Sequence, residues 1–96
     1  MRYMSDVLTV RFFTVDRRVP DVECESVRLP VSDNMKGDFF GSYGIRKGHA
    51  RAVFSLKAGK VVLTSGDETV FEAEISDGFA TVENNEVNIT VDSVKD

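Results

Sequence analysis

The sequence holds one cysteine, one histidine, two prolines and no tryptophan in 96 residues. A lone Cys24 can close no disulfide within the chain, which points to a reduced, cytosolic setting. One Cys and one His cannot fill the four soft ligands of a usual structural zinc site, so no metal is expected. No apolar run approaches the roughly 20 residues a membrane helix needs. The opening MRYMSDVLTV is not apolar enough for a secretion signal. These absences argue against direct insertion into lipid. The net charge of −4 argues against nucleic acid as a main partner.

Charge is unevenly spread. Residues 1–60 carry eleven Lys/Arg and seven Asp/Glu, and residues 61–96 carry one Lys and nine Asp/Glu. If the two parts fold apart, one end of the molecule is basic and the other acidic.

What the chain does have is period-two alternation, the mark of strands with one buried face. In residues 7–15 (VLTVRFFTV), Leu8, Val10 and Phe12 share a face opposite Arg11 and Phe13. Residues 22–31 (VECESVRLPV) read as one strand, with Glu23, Glu25, Val27, Leu29 and Val31 opposite Val22, Cys24, Ser26 and Arg28. Pro30 lacks an N–H and suggests an edge or a strand end there. Residues 50–56, 60–64, 69–75, 79–83 and 86–94 read as further strands, separated by turn residues. Gly59, Asp77 and Gly78 are expected turn residues, with Gly78 admitting a bend through positive φ. No segment keeps a helical period over three turns. The expected fold is all-β: one domain over residues 1–96, a flattened antiparallel sandwich of about 8–10 short strands.

Residues 32–48 show no clear period and hold four of the seven glycines. Within them and just beyond, GSYGIRKGHA (residues 41–50) contains three glycines and the only histidine. The pattern Gly41-x-x-Gly44-x-x-x-Gly48 lacks the Gly-Lys-Ser/Thr ending and the following helix of a phosphate loop. A hydrolase would need His49 beside an activated hydroxyl or thiol. Ser42, Ser55 and Asp38 are near in sequence, but no nucleophile motif surrounds them. The bland reading is a hydrogen-bonded histidine that stiffens a turn or touches a partner. Arg46 and Lys47 sit at the tip of this segment, where contacts concentrate. The adjacent Phe39 and Phe40 would face opposite ways in a strand, leaving one exposed. Glu72, Glu74, Glu83 and Glu86 read as a solvated face, and Cys24 as a small buried thiol.

Four stretches in order resemble one family, the amino-terminal domain of the epsilon subunit of F-type ATP synthases. Gly41-Ser42-Tyr43-Gly44-Ile45 through Gly48-His49-Ala50 resembles its Gly-x-Leu/Phe-Gly-Ile-x-Pro-Gly-His-Ala. Leu56-Lys57-Ala58-Gly59 resembles Leu/Ile-Lys-Pro-Gly. Ser76-Asp77-Gly78-Phe79 with Val82 resembles Ser-Gly-Gly-Phe-x-x-Val. Val87-Asn88-Ile89-Thr90-Val91-Asp92-Ser93 resembles Val-Thr-Val-x-Ala-Asp-Ser/Thr. The resemblance implies a two-sheet sandwich of about ten strands in the central stalk, the rotor of the synthase. Such a domain is not itself catalytic and carries no cofactor. It binds the gamma subunit along its side and the c-ring at its base, peripheral to the membrane on its cytoplasmic side. By that resemblance Asp38, Gly41, Ser42, Tyr43, Gly44, Ile45, Arg46, Lys47, Gly48 and His49 form the loop that faces the c-ring.

This sequence departs from the family at several points. Ser42 stands where the family often has an acidic residue, and either Asp38 supplies that charge or the contact lacks it. Lys47 and Arg51 replace the usual prolines, and the segment over 32–40 is longer than usual. The family commonly continues into an inhibitory helical hairpin, which is not expected within these 96 residues. The alternative is a stand-alone β-sandwich binding module that kept the fold and changed partner.

Overall fold

A computed structural model describes residues 7–15, 17–33 and 39–95, with the backbone course alone for 32, 33 and 39–42. Among the described residues ten strands carry the fold: β1 (Leu8–Phe13), β2 (Val22–Cys24), β3 (Ser26–Asp33), β4 (Phe39–Arg46), β5 (Ala52–Leu56), β6 (Gly59–Ser65), β7 (Glu68–Ile75), β8 (Gly78–Glu83), β9 (Glu86–Val91) and β10 (Val94–Lys95). They hydrogen-bond in the order β10-β7-β6-β3-β5-β8-β9-β1-β2, with β4 on the other side of β3. The ladders are antiparallel except β1 with β9, which runs parallel.

The sheet curls into two layers because β3 belongs to both. Its first part, Ser26 to Arg28, pairs with β6, and Val31 pairs with β5. The layers close on one apolar core. Leu8, Val10 and Phe12 enter it from β1, Val61 and Leu63 from β6, Ala80 and Val82 from β8, and Val87 and Ile89 from β9. Among the described residues no polar or charged side chain is buried. Fully burying a Val, Leu or Ile side chain is worth roughly 1.5–3 kcal/mol, so alternation alone drives the sheets together.

Alternation predicts most strands, but it fails at two places where the chain changes layer. Residues 22–31 are not one strand. The buried parity switches from Cys24 to Val27 and Leu29, because Glu25 interrupts the ladder and starts β3. The Glu25 amide donates instead to the Thr64 carbonyl at 2.8 Å, fixing the step from β2 onto β6. Residues 86–94 divide in the same way. Asp92 and Ser93 carry the chain from β9 across to β10, which pairs with β7.

Pro30 is interior, not at an edge. It lies opposite Ser42 of β4, at the point where β3 exchanges β6 for β5, so its missing N–H falls in the gap between partners. Its carbonyl accepts from the Lys57 amide at 3.0 Å, and its ring packs on Gly59, where a Cβ would come within 2.9 Å of Pro30 Cβ.

The basic and acidic parts of the sequence do not separate, because the strand order interleaves them. Arg11 pairs with Glu86 at 3.1 Å, Arg51 with Glu83 at 3.0 Å and Lys60 with Glu72 at 2.8 Å. Each of these three bridges joins a cation from residues 1–60 to a carboxylate from residues 61–96, while Arg11 also pairs with Asp21 at 3.2 Å.

Candidate functional site

The glycine-rich segment is mostly strand. Gly41, Ser42, Tyr43, Gly44, Ile45 and Arg46 belong to β4, which pairs with β3 over eight consecutive positions. Glycine contributes no side chain to a hydrophobic pattern, which hid this strand from the sequence. Only Lys47 and Gly48 form the turn itself. Asp38 lies outside the described residues, as do the side chains of Phe39, Phe40 and Ser42. Ile45 is fully buried, so it anchors β4 in the core and cannot touch a partner.

The turn is closed by the His49 amide donating to the Arg46 carbonyl at 3.2 Å. Gly48 sits at φ 80°, the left-handed position that a type II turn requires of its third residue. Its own amide donates to Asn85 Oδ1 at 2.8 Å. Asn85 belongs to the β8–β9 hairpin turn, where Asn84 and Asn85 have φ of 53° and 63°, the signature of a type I′ turn. One side-chain amide thus ties two turns 37 residues apart into a single end of the sandwich. In the sequence Asn85 falls among the turn residues that separate 79–83 from 86–94. The available signal was a pair of adjacent asparagines, each able to occupy αL, at the far end of the strand that pairs with β5.

His49 is held on both ring nitrogens. Nδ1 lies 2.7 Å from the Ala50 carbonyl, which can only accept, so Nδ1 carries the proton and donates. Nε2 is then the acceptor for the Tyr43 hydroxyl at 3.0 Å. The imidazole also stands edge-on to Tyr43, with ring centroids 5.7 Å apart and planes at 83°. Tyr43 stacks on Phe54 at 4.8 Å, and His49 lies 6.0 Å from the same ring. This trio links β4, the turn that follows it and β5. The exposed Arg46 and Lys47 project beside it, and the Arg51–Glu83 pair borders a shallow polar recess of about 490 Å³ lined by Gly48, His49, Asn84 and Asn85.

The arrangement is suited to contact. The His49 partners are a phenol and a carbonyl, and neither is an aliphatic nucleophile. Cys24 is fully buried, and burial pushes its thiol up to about 11, which keeps it protonated and inert at neutral pH. Among the described residues no group of three or more His, Cys, Asp or Glu could hold a metal ion. Among the described residues no helix is long and apolar enough to cross a membrane.

The remaining predicted residues serve other parts of the fold. Gly59 opens β6 against Pro30, and Asp77 and Gly78 lie at the opposite end of β8 from the His49 turn. Gly78 is glycine because of close approach, not positive φ: a Cβ would land on the Thr90 carbonyl oxygen and 2.8 Å from Val91 Cγ1.

Similarity to known proteins runs nearly the whole length of the chain. An ATP synthase epsilon chain from Cyanothece sp. is 39% identical over 88 residues, covering 92% of this chain and 58% of the relative. The epsilon chain of Gloeothece citriformis is 38% identical over the same shares, and that of Paracoccus denitrificans 29% identical over 86 residues, 90% of this chain and 53% of the relative. The chain therefore spans little more than half the length of these relatives. In fold it is similar to a chain of the cryo-EM structure of the Euglena gracilis mitochondrial ATP synthase (OSCP/F1/c-ring, rotational state 1). That match has a TM-score of 0.76 and 19% identity, over 97% of this chain and 55% of the other. The model of the ATP synthase Delta/Epsilon chain β-sandwich domain matches residues 7–96, and the chain belongs to that family.

Proposed function

We propose that residues 1–96 act as one unit, the β-sandwich of an epsilon-type central-stalk subunit in a rotary F-type ATP synthase. In this reading the domain makes and breaks no bonds. It couples a gamma-type subunit to the membrane c-ring, and it sits at the cytoplasmic side of the membrane, held there through the complex. The end built from Arg46, Lys47, Gly48 and His49 faces the polar loops of the ring.

The observation that carries this reading is the latch between the two turns. A coupling element must not deform under load, and here the presenting turn is closed by its own hydrogen bond and bolted to a second hairpin through Asn85. Close packing behind it resists compression. Support also comes from the family match over residues 7–96 and from relatives named ATP synthase epsilon chain. The Tyr43–His49–Phe54 trio spends both imidazole nitrogens on structure, which favours docking over proton transfer.

The test is co-expression with the gamma-type subunit from the same source, followed by size-exclusion chromatography. A single co-eluting peak is expected. Two separate peaks at micromolar concentration count against the reading. Stable protein interfaces bury about 1,600 Å² in total, and a domain of this size can present that area.

A further inference from the structure

On the outer face of the β1/β8/β9 layer, Phe13 and Phe79 stand exposed by 51% and 47%. Both pair in register with Thr90, Phe13 across the parallel β1–β9 ladder and Phe79 across the antiparallel β8–β9 ladder. Directly paired residues share a face, so the two rings flank Thr90 in one row. Two strand spacings separate their Cα atoms by about 9.6 Å. That leaves a slot one side chain wide, floored by Thr90.

The slot is part of a groove of about 360 Å³ that also includes Val15, itself 88% exposed, with Asp77 and Asp92 at the rim. Among the described residues, no hydrogen bond or ion pair takes up either rim carboxylate. The rim is nonetheless fixed. The Ser76 hydroxyl oxygen accepts from the Asp92 amide at 2.9 Å and the Ser93 amide at 3.1 Å, and the Ser76 amide donates to the Ser93 carbonyl at 3.2 Å. The register that pairs Gly78 with Val91 continues to Asp77 and Asp92, so both carboxylates stand together at one end of the slot, complementary to an apolar anchor with cations on one side of it.

We propose that this slot receives one apolar side chain of a partner protein segment bearing Lys or Arg on one side of that anchor. The slot lies at the far end of β8 from the turn over residues 46–49, about 13 Å along the strand. The domain therefore carries a second docking surface, independent of the His49 end and of the rotor reading.

The test uses the full chain, labelled with ¹⁵N, titrated with a 14-residue helical peptide carrying one Leu followed by Lys three and four residues on. Amide shifts concentrated at Phe13, Phe79 and Thr90 are expected. Peptides with Asn for the Leu, or Glu for both Lys, should bind at least about tenfold more weakly, a change of about 1.4 kcal/mol. Phe79→Ser should weaken the Leu peptide by a similar factor. Asp77→Asn with Asp92→Asn, which leaves the packing intact, should abolish the preference for Lys over Glu. Equal shifts with the Leu and Asn peptides, no effect of charge reversal, or shifts spread away from the slot would overturn the proposal. So would slot shifts that track chain concentration without peptide, because a second copy would then be the occupant.

Discussion

Replacing Gly78 by Ala should be among the most damaging single-methyl changes this fold can suffer. Gly78 opens β8 and is paired on both sides, with Leu56 of β5 and Val91 of β9. The new methyl would meet the Thr90 carbonyl oxygen, with Val91 Cγ1 at 2.8 Å and the Thr90 carbonyl carbon at 3.1 Å. The Val91 side chain can rotate away, but the Thr90 carbonyl is backbone and moves only if the end of the β8–β9 ladder opens. Overpacking typically costs 1–3 kcal/mol, and backbone displacement puts this case near the top, at about 3 kcal/mol. A chain of this length has a total stability of roughly 5–15 kcal/mol, so the loss is a large share of it. Each kcal/mol moves the midpoint by roughly 4–8 °C at this size, giving a fall of about 12–24 °C in Tm. The assay is thermal unfolding followed by far-UV circular dichroism, checked by urea titration. Gly44→Ala is the matched control, since nothing lies within 4 Å of its new methyl. It should stay within about 0.5 kcal/mol of the parent. If Gly78→Ala melts within about 3 °C of the parent, a shift worth well under 1 kcal/mol, β8 does not approach Thr90 as described and the reasoning fails.

Gly59→Ala should fall between those two, at about 1–2 kcal/mol, because its methyl meets Pro30 Cβ at 2.9 Å and a side-chain atom yields more readily than a carbonyl; chemical denaturation gives the order. Asn85→Gly keeps the left-handed turn but removes the acceptor for the Gly48 amide, so it should cost about 0.5–1.5 kcal/mol and speed hydrogen exchange at Gly48. Tyr43→Phe should leave the ring packing and raise the exchange of the His49 environment, with ¹⁵N imidazole spectra still reporting the Nδ1–H tautomer; an Nε2–H form would contradict the assignment. The Cys24 thiol, raised by burial from 9.0 to about 11, is protonated in the native state and more acidic when unfolded. The native state thus holds its proton more tightly, so this contribution to stability is complete below about pH 9 and is lost as pH rises to about 11. Urea midpoints should fall over that window in the parent and less in Cys24→Ala, and thiol reagents should label the native protein only through unfolding.

The parts of the fold legible in the sequence were those where a side chain reports its own face. Leu8, Val10 and Phe12 alternate with Arg11 and Phe13, and the core follows that pattern. The parts that were hidden are those decided by partners distant in sequence. The parity break at Glu25 depends on the Thr64 carbonyl, and the interior place of Pro30 depends on β5 and β6 meeting end to end beside it. Strand β4 was masked by Gly41 and Gly44, which carry no hydrophobic signal. At the candidate site, the turn glycine and the histidine stood out by their rarity. Their geometry did not, because Asn85 comes from the β8–β9 turn and Phe54 from β5. The slot between Phe13 and Phe79 was invisible for the same reason: it exists only once β1 and β8 flank β9.

The shared strand β3 has a mechanical consequence. In a sandwich held only by side-chain contacts, one sheet can slide over the other by trading one set of van der Waals neighbours for the next. Here β3 is stitched to β6 along its first part and to β5 near its other end. Sliding would have to tear covalently continuous backbone out of both ladders at once. Shear between the faces is therefore opposed by backbone hydrogen bonds on both sides of the step, and not by side-chain contacts alone.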